Sequence, residues 1–152
     1  MKINLIKSNS ATLSSAKDTT LVAFSSFSKT GKTETVKIKN SALNKRLDSS
    51  IVDKTITGKA QTTTLFRELN FEGHRHVLVM GIGAKIESET LRKSAAEAYK
   101  VFSKAKVKEV IVEVDALTTS KKDVPSVISS LVEGFMLASY DFDELKSKKE
   151  DA

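Results

Sequence analysis

The chain has 152 residues, 39% of them hydrophobic, with one proline, six glycines, no cysteine and no tryptophan, and its 25 Lys/Arg against 19 Asp/Glu give a formal charge of +6. This length buries roughly 70% of the surface exposed by the unfolded chain, enough for a core without staples. The absence of cysteine excludes a disulfide framework, a zinc ribbon and a cysteine nucleophile. The opening stretch Met1–Lys7 is too short for a secretory signal and no segment approaches the ~20 apolar residues of a membrane span, so the chain reads as a soluble cytoplasmic domain with no membrane partner.

In chain order, the alternation of Lys2 to Lys7 and of Thr20 to Phe27 predicts two strands, and Val36 and Ile38 mark a third after a turn at Gly31. Leu43, Leu47 and Ile51 then recur every four residues behind an Asn40-Ser41 cap, which predicts one amphipathic helix ending before Gly58. Thr62 to Leu69 and His76 to Ile82 read as two strands separated by the turn Asn70-Phe71-Glu72-Gly73. The run Val77-Leu78-Val79-Met80 is continuously apolar, as a central strand covered on both faces requires.

After Gly81-Ile82-Gly83, Ser88 is placed to cap a helix whose apolar face is Leu91, Ala95, Ala98 and Phe102, with Glu89 in the positive first turn. A strand from Glu109 to Val114 follows. Asp123 and Pro125 open a last helix with Val127, Ile128, Leu131, Phe135 and Ala138 on its inner side, proline being tolerated in a first turn. The order βββαββαβα predicts a mixed sheet, parallel with right-handed crossovers from residue 76 onwards. Residues 141 to 152 are dominated by charge and resemble a linker.

The positive charge is unevenly placed: residues 1–76 hold 13 Lys/Arg against 6 Asp/Glu, and residues 77–152 hold 12 against 13. A basic half is a candidate nucleic-acid surface, but these lysines alternate with Thr, Ser and Asn and have no interleaved aromatic residues on which bases would stack. Thr30-Gly31-Lys32-Thr33 invites comparison with a phosphate loop. Such a loop needs another glycine where Ser26 stands, and must lead into a helix, whereas Glu34 to Lys39 alternates like a strand, so a hairpin turn is expected.

Gly81, Gly83 and Lys85 form the better-placed candidate cofactor site, because they lie between a buried strand and a helix, where backbone N–H groups and the helix dipole can hold an anion. The third glycine of the dinucleotide fingerprint is replaced by Ile86, and a tight strand-to-helix turn is the competing reading. His74 and His76, the only histidines, have metal-like spacing but no cysteine and only Glu72 nearby. Asp141, Asp143 and Glu144 lack the glycine and distal glutamate of a calcium loop. No Gly-x-Ser-x-Gly elbow is present, and no catalytic constellation emerges.

Four segments together carry a family resemblance: Val77-Leu-Val-Met-Gly-Ile-Gly-Ala-Lys85, Glu89-Thr-Leu-Arg-Lys-Ser-Ala-Ala-Glu97, Lys108-Glu-Val-Ile-Val112, and Glu133-Gly-Phe-Met-Leu-Ala-Ser-Tyr-Asp-Phe-Asp143. Gly58-Lys59 ahead of a strand also fits. Over residues 2 to 148 the chain resembles the N-terminal domain of the leucine (cytosol) aminopeptidase family of two-metal exopeptidases. The resemblance implies a three-layer, macro-domain-like α/β fold with a mixed, largely parallel sheet of about six strands between helices. The domain would cover residues 1–145, with 146–152 as the start of an interdomain linker, so that the chain is an excised or separately encoded N-terminal domain.

The family's metal ligands, its catalytic lysine and arginine and its Asn-Thr-Asp-Ala-Glu-Gly-Arg-Leu signature belong to a C-terminal catalytic domain. None has a counterpart here. No catalytic or metal-binding residue, and no cofactor, is therefore expected in this chain. The implied partners are that catalytic domain, with two divalent metals (zinc or manganese), and further copies in a hexamer. The alternatives are a macro-like module binding ADP-ribose or a nucleotide at the loop after Met80, and weak nucleic-acid binding by the basic half.

Overall fold

The computed structural model describes residues 2–6, 19–117 and 124–150. Its elements are β1 (Lys2–Ile6), β2 (Thr19–Thr30), β3 (Thr33–Ile38), α1 (Ser41–Arg46), α2 (Asp48–Val52), β4 (Thr63–Phe66), β5 (His76–Gly83), α3 (Ser88–Lys104), β6 (Glu109–Glu113), a short 3-10 turn (Val114–Leu117) and α4 (Val124–Glu150).

The strands form one mixed sheet in the order β1-β6-β2-β5-β4. The first four are mutually parallel, β1 aligning Lys2 with Glu109 and β2 aligning Leu21 with both Val77 and Ile111, while β4 runs antiparallel on the outer edge of β5. The length of β2 allows it to serve two partners in succession. Its first residues, Thr19–Val22, pair with β6, and its last, Ser25–Thr30, fold back on β3 across the turn at Gly31-Lys32. The Thr30–Thr33 loop is thus the expected hairpin turn.

Alternation along the central strands sorts side chains to two faces, since successive residues of a strand point to opposite sides. Val22, Phe24, Leu78, Met80, Val110 and Val112 meet Leu91, Ala95, Ala98 and Phe102 of α3 and Leu131 and Phe135 of α4. Leu21, Ala23, Val77, Val79 and Ile111 face the other way, against Leu43 and Leu47 and beside Ile56 and Phe71. Burial on both faces is why Val77 to Met80 reads as an unbroken apolar run.

Three local expectations are corrected. The helix expected through Ile51 is two helices, because buried Leu47, with φ −105° and ψ 19°, closes α1 and precedes α2 while keeping its side chain in the core. Asn40 caps α1 as expected, its side-chain oxygen accepting from the Leu43 amide. Ser88 is the first residue of α3 and not its cap. Glu87 holds that position without a side-chain bond, and its carbonyl accepts from Leu91 N–H. The strand expected over Thr62 to Leu69 is confined to Thr63–Phe66, since Gln61 and Glu68 adopt φ of 66° and 60° on either side of it.

Candidate functional site

The Gly81–Lys85 turn lies where β5 leaves the sheet, at the carboxyl end of the parallel strands, the end at which open α/β sheets place ligands. The chain itself fills the space beside it. Gly81 N–H donates to the Thr62 carbonyl at 2.8 Å and Gly83 N–H to the Gly58 carbonyl at 2.9 Å, so both glycine amides are spent on the loop between α2 and β4. A Cβ on Gly81 would lie 2.0 Å from the Lys59 carbonyl oxygen and 2.3 Å from Thr62 Oγ1, which only glycine avoids.

Buried Ser94 of α3 locks the same loop, its hydroxyl donating to Gly81 O at 3.1 Å and accepting from Gln61 N–H at 3.3 Å. Lys85 is solvent-exposed. The geometry brings Gly81, Gly83, Gly58 and Ser94 together as a packing motif. Gly58-Lys59 fitted the family pattern, but no periodicity in the sequence announced that residues 58–62 pack on this turn, because the contacts join residues 19 and 25 positions apart.

The two histidines are each engaged within the fold. His74 Nδ1 lies 2.9 Å from Thr19 Oγ1 across to β2, and His76 Nδ1 accepts from the Glu68 amide at 3.0 Å. Burial holds the His74 imidazole below its ordinary value, with the Glu72 carboxylate opposing the shift. Among the described residues no group of three or more His, Cys, Asp or Glu is placed to hold a metal ion. Asp141, Asp143 and Glu144 lie on the backbone of α4, and their side chains fall outside the described residues.

Beyond the loop, a cavity of about 420 Å³ opens between the β2–β3 hairpin and α2, with Phe27, Ile51, Ile56 and Lys59 in its walls. The Lys59 ammonium sits 5.7 Å from the Phe27 ring centre, a cation–π distance. Phe27 is half-buried, with Lys59 over one side of its ring.

On the opposite face of the sheet, the segments bearing the Glu89–Glu97 and Glu133–Asp143 motifs meet. Gly134 of α4 passes so close to α3 that a Cβ there would lie 2.3 Å from Arg92 O and 2.7 Å from the Ala95 methyl. The Arg92 guanidinium bridges the two helices, donating to Glu133 through Nε and to Glu89 through Nη1, and these carboxylates raise its pKa.

This architecture defines a macro-domain-like three-layer α/β protein. The macrodomain of Thermus aquaticus DarG superposes with a TM-score of 0.57 at 9% identity, covering 88% of this chain and 90% of that one, a likeness of fold alone. The sequence pattern of the cytosol aminopeptidase family, N-terminal domain, matches residues 14–149. A protein of Bdellovibrio bacteriovorus named a probable cytosol aminopeptidase is 39% identical over 153 residues, 99% of this chain. One of the same description from Syntrophotalea carbinolica is 33% identical over 117 residues, 74% of this chain. The chain belongs to the cytosol aminopeptidase family, and corresponds to its N-terminal domain. It spans 30% and 23% of the lengths of those two relatives.

Proposed function

We propose that this chain is the non-catalytic N-terminal domain of a cytosolic, metal-dependent leucyl aminopeptidase, and that it packs through the outer face of α4 on a C-terminal catalytic domain. That second domain would hold the two divalent metals, zinc or manganese, and the contact would serve assembly of a hexamer and access to its active sites. The observation that carries the reading is α4 itself. Its inner face is buried, yet Met136, Leu137 and Tyr140 stand 66%, 62% and 70% exposed on the outer side, with Val132 one turn before them.

Residues 132, 136 and 140 recur every four positions and so share one stripe of the helix. Contiguous exposed apolar surface marks an interaction site. The relatives carry most of their length outside the matched region, and the family match assigns that region to the N-terminal side. A further part of the same kind of chain is therefore the occupant best suited to this stripe.

The isolated chain should not hydrolyse leucine p-nitroanilide with manganese or zinc added; turnover that survives repurification overturns the reading. A separately produced catalytic part of the Bdellovibrio relative should bind the chain, and Met136→Glu with Tyr140→Glu should abolish the complex while the fold persists. Binding unaffected by the double substitution would refute the α4 contact.

The alternative of an ADP-ribose or nucleotide site at Gly81–Lys85 is less favoured, because the Gly81 and Gly83 amides already have partners. Titration with ADP-ribose while following the amides of residues 81–85 by NMR tests it directly.

A further inference from the structure

The amino-terminal end of the sheet, opposite the Gly81–Lys85 turn, carries a second feature. The β4–β5 and α3–β6 connections border a cavity of about 170 Å³ whose lining includes Arg67, Arg75, Lys106 and Lys108, with Glu68 the only carboxylate there among the described residues. Glu68 already accepts from Arg75 Nε at 2.9 Å. Arg67 Nη2 donates to Ala105 O at 3.3 Å, which offsets the negative end of α3, where an anion would otherwise be disfavoured. Four cationic residues from three separate stretches of chain thus line one cavity, Lys106 and Lys108 at its exposed rim.

Thr20 lines the same cavity. It is completely buried, and its Oγ1 is the one buried side-chain oxygen or nitrogen among the described residues without a hydrogen-bond partner. Buried hydroxyls almost always have a partner, and Thr20 stands in the wall of the cationic cavity with its hydroxyl sealed and its hydrogen bond still unspent.

Lys106 adds a structural oddity. Val107 N–H reaches Phe102 O at 3.0 Å and Lys106 N–H reaches Ser103 O at 3.3 Å, the paired bonds that end a helix with a left-handed residue, usually glycine. Here that residue is Lys106, at φ 56°.

We propose that this cavity binds a small tetrahedral oxyanion, a free phosphate or the phosphoryl group of a larger molecule. Guanidinium and ammonium donors suit its charge and geometry. The cavity opens to solvent on one side and has room for one such anion with its bridging waters. The site is independent of the α4 contact.

The test is titration of the ¹⁵N-labelled chain with sodium phosphate against sodium chloride at matched ionic strength, following the amides of Thr20, His76 and residues 106–108. Saturating shifts specific to phosphate are expected, with a dissociation constant on the order of millimolar. Lys106→Gly should weaken binding roughly three- to tenfold while the melting temperature holds or rises, since glycine suits the left-handed turn. Lys108→Ala and Thr20→Val should also weaken it. Shifts that stay linear, match those with chloride, or survive all three substitutions with unchanged affinity overturn the proposal. Phenyl phosphate binding as tightly as phosphate would assign the site to a phosphoryl group, and binding of phosphate alone to the free ion.

Discussion

Gly81 is held by what surrounds it more than by its own backbone. The Lys59 carbonyl and the Thr62 hydroxyl occupy the volume of any side chain, and because the nearer atom belongs to the backbone it cannot swing aside. Gly81→Ala should therefore cost about 1–3 kcal/mol in urea unfolding, as overpacking of a tight site does. A neutral substitution would mean that the loop bearing Thr62 gives way freely. His74 provides a pH dependence. Its pKa is depressed below the ordinary 6.5, so the folded chain takes up this proton less readily than the unfolded one. Its contribution to stability is complete above that value and is lost as pH falls below it. The melting temperature should drop between about pH 7.5 and 5.5, and His74→Gln should reduce the drop. An unaltered pH dependence in that variant would remove His74 as the cause.

At the scale of elements, the α3–α4 crossing depends on small residues. Gly134, Ala95 and Ala98 let the helices approach, and Gly134→Ala should destabilise the chain by about 1–3 kcal/mol despite the better helix propensity of alanine, because the new methyl meets Arg92 O. Chemical unfolding of the variant checks this, and a gain in stability would contradict it. The Arg92–Glu133 bridge above the crossing is solvent-exposed, so Arg92→Ala should have a small effect that vanishes as salt rises.

The two helices α3 and α4 were legible because their apolar residues repeat on one face over several turns. By contrast, α1 and α2 read as one helix, since Leu43, Leu47 and Ile51 keep the spacing even where the backbone breaks at Leu47. Apolar spacing reports which side chains are buried and is blind to a local turn that leaves burial intact. The shortened β4 has a similar origin: Arg67 and Glu68 suit a strand by pattern, but the His76 ring claims the Glu68 amide and turns the chain away.

For the whole molecule, the apolar stripe on the outer side of α4 and the cationic cavity at the amino-terminal end of the sheet are separate surfaces, and each has its own test. The stripe was present in the sequence as Val132, Met136 and Tyr140, yet in sequence it is indistinguishable from the neighbouring core residues Leu131 and Phe135 until the helix is docked. The cationic cavity left no such signal. Arg67, Arg75 and Lys106 to Lys108 come from different connections, and the uneven charge of the two halves of the chain mixed them with solvated lysines elsewhere.

The sequence by itself determined the alternating and helical periodicities, the doubly buried β5 strand, the hairpin at Gly31 and the family to which the chain belongs, because each depends on residues near one another along the chain. Tertiary structure alone decided the strand order, which sets Lys2 beside Glu109 and lets β2 pair successively with β6 and β3. It also decided that the Gly81 and Gly83 amides are satisfied by their own chain, and that four cations and a buried hydroxyl share one cavity. Hydrogen bonds and electrostatic fields act through space, and their partners lie tens of residues apart, beyond the reach of any local pattern.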